Sequence, residues 1–382
     1  MLLDHVKFEV RGILDAFSTV APKTSVTTSR RILIVKMDAI GDYVLFRNFL
    51  SVIRREVPAD TCIDLVGNYI WRDLAEELDA QFIEKFVWVD KRRFSTQPLY
   101  RLTKLREIGQ LHYEMVLHPT YSRDIVAEAI VKAARSNTKI GSNGHVQNLL
   151  PWQKKRYDKS YSKLISFVEE DQFEFLNYAR FFEVVIGANP RISKPTIELT
   201  TGPIKGNQTY KPYAILFVGA SEPSRRWNVS GFAQVAGHLS SQYALSILLC
   251  GGQGEREIAD GIILRNKSGF LVNLAGRTTL SELTRLISEA RLVVSNETGA
   301  VHISAALETP VVCISNGSHF MRFHPYPKEL FRQYAVVYPY EMTDLIRRGG
   351  SQISSQFRYG SDLDINSVDA QSVILSIDRL LA

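Results

Sequence analysis

The chain has 382 residues, more than one ordinary hydrophobic core serves, so two domains are expected. Apolar residues make up 45% and charged residues 23%, a globular balance that excludes a disordered or collagen-like chain. The net charge of +6 is unevenly spread: residues 85–163 hold 16 Lys and Arg against 6 Asp and Glu, an excess of 10. Such a field attracts phosphates, acidic glycans or anionic headgroups, and solvated helix faces account for the same charges equally well.

No stretch approaches the roughly 20 apolar residues that span a bilayer. Residues 1–17 mix acids and bases with no apolar core of a signal peptide, which points to a cytoplasmic protein. Peripheral contact with the inner membrane stays open. Cys62, Cys250 and Cys313 are far apart and form no CxxC pair, so neither a disulfide framework nor a zinc site is expected.

In chain order, Leu2, Leu3, Val6, Val10, Ile13, Leu14 and Phe17 recur at helical spacing, and residues 21–29 read as a Ser/Thr-rich linker. RILIVK at 31–36 is a short apolar run bounded by charge. A loop ending in Gly41-Asp42 follows, then a helical pattern over 43–55: strand, loop, helix, the opening of a Rossmann-like unit. Residues 62–66, 86–89 and 115–118 are further strand candidates, and 164–186 reads as one or two helices rich in aromatics. Pro190, Pro195 and Pro203 mark a boundary within 189–208. A second series then begins, with strands expected at 213–218, 245–250, 292–295 and 310–315. Helices are expected at 232–239, 280–290, 300–307 and 367–381. The expected division is an extension at 1–29, a domain at 30–200 and a domain at 201–382.

Three constellations follow strands, where open α/β sheets bind ligands. In Lys36-Met-Asp38-Ala-Ile-Gly41-Asp42, a carboxylate at the helix start suits a general base, although Asp42 or Asp38 would equally serve as a helix cap. In Gly219-Ala-Ser221…Arg225-Arg226-Trp227, a hydroxyl and two guanidinium groups suit a diphosphate; a polar surface loop is the plainer alternative. In Ser295-Asn-Glu297-Thr298-Gly299-Ala-Val-His302, a helix N-terminus favours an anion and Glu297 suits sugar or ribose hydroxyls, against a plain N-cap with a satisfied histidine. Gly251-Gly252…Glu255 adds a weaker sign of nucleotide approach and matches neither GxGxxG nor the P-loop. Asp362-Leu-Asp364 has the spacing of a metal-binding acid pair but lies in a late loop, so no metal site is expected.

In order and spacing, these motifs over residues 30–327 resemble glycosyltransferase family 9, the ADP-heptose:lipopolysaccharide heptosyltransferases. The resemblance implies a GT-B fold, two Rossmann-like domains facing across a cleft, with a final helix that in many such enzymes returns to the first domain. It implies an inverting transferase that needs no metal or cofactor beyond its nucleotide-sugar substrate, with ADP as the expected nucleotide. Carried over by position, Asp42 is the catalytic base, with Gly41 and Arg123 on the acceptor side. Ser221, Arg225, Arg226, Glu255, Glu297, Thr298, Gly299 and His302 lie on the donor side. Arg225 stands where a lysine is common, Glu297 where an aspartate is usual, and His118 where an acid or amide is frequent, so donor sugar and acceptor stay open. The implied acceptor is an acidic or lipid-linked envelope saccharide. The alternatives are a same-family enzyme using another nucleotide hexose and a non-catalytic nucleotide-sugar-binding protein. Nucleic acid is not an expected partner, because the basic segment carries no reading motif.

Overall fold

A computed structural model describes residue 15 and residues 30–166, 172–199, 210, 212–266, 269–349 and 353–382. The expected N-terminal helix and linker fall outside these residues, except for Asp15, whose carboxylate accepts two 2.7 Å bonds from Arg101. The chain divides into two compact units. One comprises the described residues of Met1–Val168 and Leu176–Arg191; the other comprises those of Glu169–Phe175 and Ile192–Ala382.

The first unit is built on a parallel sheet of β1 (Arg31–Lys36), β2 (Cys62–Asn68), β3 (Lys85–Val89), β4 (Met115–His118), β5 (Thr138–Ser142) and β6 (Lys163–Ile165). The strand order is β3-β2-β1-β4-β5-β6. The RILIVK run is buried from its second residue on, because a parallel sheet covered on both faces needs continuous rather than alternating apolar residues. Sequence order reverses between β1 and β4, which makes the crevice at their carboxyl ends the topological switch point. The helical pattern expected from residue 43 begins three residues earlier and runs as Ile40–Phe46 and Asn48–Glu56. The stretch expected to be helical from residue 164 opens instead with β6; its helix is Glu174–Ile186. The aromatics of that helix are core residues, with Phe182 stacked on Phe49 at 5.1 Å and Tyr178 edge-on to Phe46 at 5.9 Å.

The second unit repeats the architecture with β7 (Tyr213–Phe217), β8 (Ser246–Cys250), β9 (Leu271–Asn273), β10 (Leu292–Asn296), β11 (Val311–Ile314) and β12 (Tyr334–Val337). The parallel order is β12-β11-β10-β7-β8-β9, so its switch point lies between β7 and β10. Caps delimit its helices. Asn228 accepts from Gly231 N, and Thr279 and Glu282 form a reciprocal capping box. The final helix, Ala370–Leu381, was a candidate for return to the first domain. It packs within the second unit, burying Val373 and Ile377, while Asp378 accepts from Tyr243 at 2.8 Å and meets His238 at 2.7 Å.

Candidate active site

At the switch point of the first unit, Asp38 and Asp42 leave β1. Neither caps the helix: the N-cap is Ala39, without a side-chain bond. Asp38 is instead a fixed carboxylate. Lys36 Nζ donates to it at 2.6 Å and Thr120 Oγ1 at 2.9 and 3.1 Å. Its carbonyl accepts from Asn68 Nδ2 at 3.0 Å and from Trp71 Nε1 at 3.2 Å. Burial alone would raise its pKa, but Lys36 outweighs it and holds the carboxyl below its ordinary range. Lys36 is fully buried and sits 4.4 Å over the Tyr178 ring, whose hydroxyl it also meets.

Gly41 is buried in the first helical turn, and Asp42 is half-buried in that turn, where the helix dipole favours an ionised carboxylate. Burial works to lower the pKa of Lys91, yet it is raised, because Asp124 lies 2.6 Å away and the fields of Asp38 and Asp42 add to it. Lys91 therefore stands within electrostatic reach of the proposed base.

Arg123, expected on the acceptor side, is packed inside the first unit. Its side chain is fully buried, with Nε donating to Glu128 at 2.5 Å and Nη1 lying 2.8 Å from Asp158 and bonded to the Ser142 carbonyl at 3.2 Å. Its guanidinium braces the loop after β4 from inside. His118 is equally buried, and burial, followed by the nearby Arg123, pushes its pKa down to about 3, so it is neutral.

In the second unit the loops after β7 and β10 are tied together by Asn296. Its Nδ2 donates to the carbonyls of Val218 at 3.0 Å and Gly219 at 3.1 Å, and its Oδ1 accepts from Trp227 N at 3.1 Å. This tether fastens the loop that carries Arg225 and Arg226 to the end of β10, and the Thr298-capped helix Gly299–Ala306 follows that strand. Arg225 Nη2 donates to Ser221 Oγ at 2.6 Å, Nη1 lies 3.5 Å from Glu297, and Nε meets no acceptor among the described residues. Arg226 donates to the Ala220 carbonyl at 2.9 Å and lies 3.7 Å from Glu255. The glycines around Glu255 make room for it: a Cβ at Gly219 or Gly252 would come within 3.0 Å of its carboxyl group.

Glu297 is 7% exposed and fully engaged. Ser315 Oγ donates to Oε2 at 3.0 Å, where His324 Nε2 also lies at 3.0 Å, and His319 Nδ1 meets Oε1 at 2.6 Å. Burial would raise its pKa, but His324 and His319 outweigh that and hold it well below the carboxylate range. His302 is buried against Tyr326 at 2.6 Å, and burial, followed by His324, pushes its pKa down to about 3. It carries no positive charge at neutral pH. His319, with φ 59°, and Met321, with φ 63°, hold left-handed backbone that costs a non-glycine residue roughly 1–2 kcal/mol. The residues to which sequence reasoning gave no role are Lys36, Lys91, Thr120, Asn296, Ser315, His319 and His324. The signal available for the last three was a loop with two histidines directly after an apolar strand.

The profile of glycosyltransferase family 9 (heptosyltransferase) matches residues 103–331. The chain belongs to glycosyltransferase family 9. Among curated relatives it is 31% identical over 108 residues to the lipopolysaccharide core heptosyltransferase OpsX of Haemophilus influenzae, covering 28% of this chain and 31% of that protein. It is 33% identical over 115 residues to lipooligosaccharide heptosyltransferase 2 of Campylobacter jejuni, covering 29% and 35%. The aligned segments thus span about a third of these family 9 relatives. Among solved structures, a family 9 glycosyltransferase from Veillonella parvula matches with TM-score 0.70 and 16% identity over 92% of this chain and 97% of that one. Escherichia coli heptosyltransferase WaaC, solved with ADP-2-deoxy-2-fluoro heptose, matches with TM-score 0.67 and 16% identity over 91% and 99%. At that identity the likeness concerns the fold, which is GT-B: two parallel six-stranded Rossmann-like units. No described helix is long and apolar enough to cross a membrane, and no group of metal-ligating side chains occurs among the described residues.

Proposed function

We propose that this family 9 member is an inverting transferase that moves a sugar, heptose from an ADP-linked donor, to an acidic or phosphorylated saccharide of a bacterial envelope. The observation that carries the donor half is the Asn296 tether, which fastens the loop carrying Arg225 and Arg226 to the end of β10 at the switch point of the second sheet. Two guanidinium groups on that loop are donors suited to a diphosphate, and the helix Gly299–Ala306 begins just after the same strand. That WaaC was solved with an ADP-linked sugar supports ADP as the nucleotide.

In the proposed reaction Asp42 takes the proton of an acceptor hydroxyl while that oxygen bonds to the anomeric carbon. The bond from that carbon to the diphosphate breaks, and the departing charge is met by Arg225, Arg226 and the helix start. Because these groups can neutralise the leaving diphosphate, the reaction is expected to run without a divalent metal. The basic excess in residues 85–163 supports an anionic acceptor, lipid-linked at the inner membrane face. A second reading keeps the fold and changes the donor to another nucleotide hexose; it is favoured by Glu297, whose two oxygens are both engaged by histidines.

Calorimetry with ADP, UDP, GDP and CDP, with and without Mg²⁺, tests this. Selective ADP binding without metal, weakened about tenfold or more in Arg225→Ala, is the expected result. Preference for another nucleotide moves the donor to a hexose, and absence of nucleotide binding overturns the transferase reading.

A further inference from the structure

We infer that the segment before β1 docks on the helical face of the first unit with Asp15 as its anchor, and that the docked segment braces the short helix Lys91–Thr96. The occupant of that face is residues 1–29 of the same chain, whatever nucleotide or sugar the protein takes.

Arg101 lies near the start of the helix Pro98–Gly109 and is 5% exposed. A guanidinium keeps its charge at any physiological pH, so burying one is costly unless a carboxylate meets it. Its Nε donates to Asp15 Oδ1 and its Nη2 to Asp15 Oδ2, both at 2.7 Å, the two-pronged geometry of the strongest arginine–carboxylate pairs. Asp15 is itself buried. The Arg101 guanidinium also lies 4.5 Å over the ring of Phe94, a core residue of the helix Lys91–Thr96. A third helix, Pro151–Asp158, supplies the buried Tyr157. Burial raises the pKa of that phenol, and the charges of Arg101 and Asp15 then act on it in opposite senses, so the pair lies within electrostatic reach of this helix too.

The local charge balance is the reason the anchor comes from so far away in the chain. Residues 85–163 hold only 6 acids against 16 bases, and each of those acids has another partner. Asp90 accepts from Arg93 N at 2.9 Å, and Glu107 pairs with Lys104 at 2.9 Å. Glu114 faces Arg30 at 4.0 Å, and Asp124 holds Lys91 at 2.6 Å. Glu128 and Asp158 both meet Arg123, at 2.5 and 2.8 Å. The carboxylate for Arg101 therefore comes from outside the stretch, 86 positions earlier in the sequence. That complementarity, a buried cation on a basic face and an acid in the segment that precedes the domain, selects the segment as the occupant.

The brace follows from the size of the helix. Lys91–Thr96 has six residues, too few to be stable without tertiary contacts. Phe94 is its one buried residue, and the Arg101 guanidinium that covers the ring is itself fixed by Asp15.

A specific protease site, inserted in the linker at 21–29 of the full chain and cut after purification, tests the docking. The N-terminal fragment is expected to elute with the body of the protein in gel filtration. Asp15→Asn removes the charge, keeps the shape and is expected to weaken retention about tenfold or more. Arg101→Met keeps an apolar stem over Phe94 and should release the fragment to a similar degree. Circular dichroism checks that Arg101→Met folds; Asp15→Asn decides the matter without it. In the uncut chain, amide exchange over 91–96 should quicken about tenfold in Asp15→Asn while exchange in β8 stays unchanged. Release of the fragment from the otherwise unaltered protein would overturn the docking. Undiminished retention in Asp15→Asn would overturn Asp15 as the anchor and assign the hold to the apolar residues of the segment. Unchanged exchange over 91–96 would overturn the brace.

Discussion

At the scale of single residues, the two carboxylates that follow β1 have different physical situations. Asp38 is saturated by Lys36 and Thr120, whereas Asp42 sits half-buried in the first turn of a helix. The proposed base is Asp42, and Asp42→Asn is expected to lower turnover by about 10²–10⁴ with nucleotide binding unchanged. Single-turnover rates beside calorimetric affinities check this. His118 and His302 carry a second prediction. Both are held near a pKa of about 3, below the ordinary 6.5, so between those values the unfolded chain binds the protons that the folded protein refuses. Their stabilisation is complete above pH 6.5 and is lost as the pH falls from 6.5 towards 3. Thermal unfolding should show the midpoint falling through that window. His118→Gln, which cannot be protonated there, should flatten the slope at an overall cost in stability.

At the scale of elements, the donor site depends on how loops are fastened to strand ends. Asn296 satisfies two carbonyls and one N–H of the neighbouring loop from a fully buried position. Asn296→Ala strands those groups, a loss of about 1–3 kcal/mol for each left unsatisfied. The variant is expected to unfold at lower denaturant and to bind nucleotide more weakly, because Arg225 and Arg226 lose their anchorage. Denaturation curves and calorimetry on the same preparation separate the two effects. The elements least legible in the sequence were β5, β6, β9 and β12. β6 and β9 have three residues each, and β5 reads TKIGS, so periodicity had almost nothing to act on. The central strands, long and continuously apolar, were plain.

For the whole molecule, charge is the relevant quantity. The basic excess lies in residues 85–163, within the first unit. Raising the ionic strength should therefore raise KM for a phosphorylated oligosaccharide acceptor and leave KM for the nucleotide sugar nearly unchanged, since exposed charges are screened beyond about 8–10 Å in physiological salt. Initial rates at varied salt test this. A flat response for the acceptor would assign the lysines and arginines to solvated helix faces alone.

By itself the sequence determined the fold class, the family and the addresses of the loops, because these depend on local order: an apolar run, a glycine or acid at its end, and a helix after it. Asp42, Arg225, Arg226, Glu255 and Glu297 were singled out as candidates this way. Tertiary structure decided what each address contains. Arg123, expected on the acceptor side, is packed against Glu128 and Asp158, and Glu297, expected on the donor side, is engaged by His319 and His324. Those partners lie between 5 and 35 residues away in the chain, and no spacing rule joins them. Burial and charge at a site are sums over neighbours that only folding brings together.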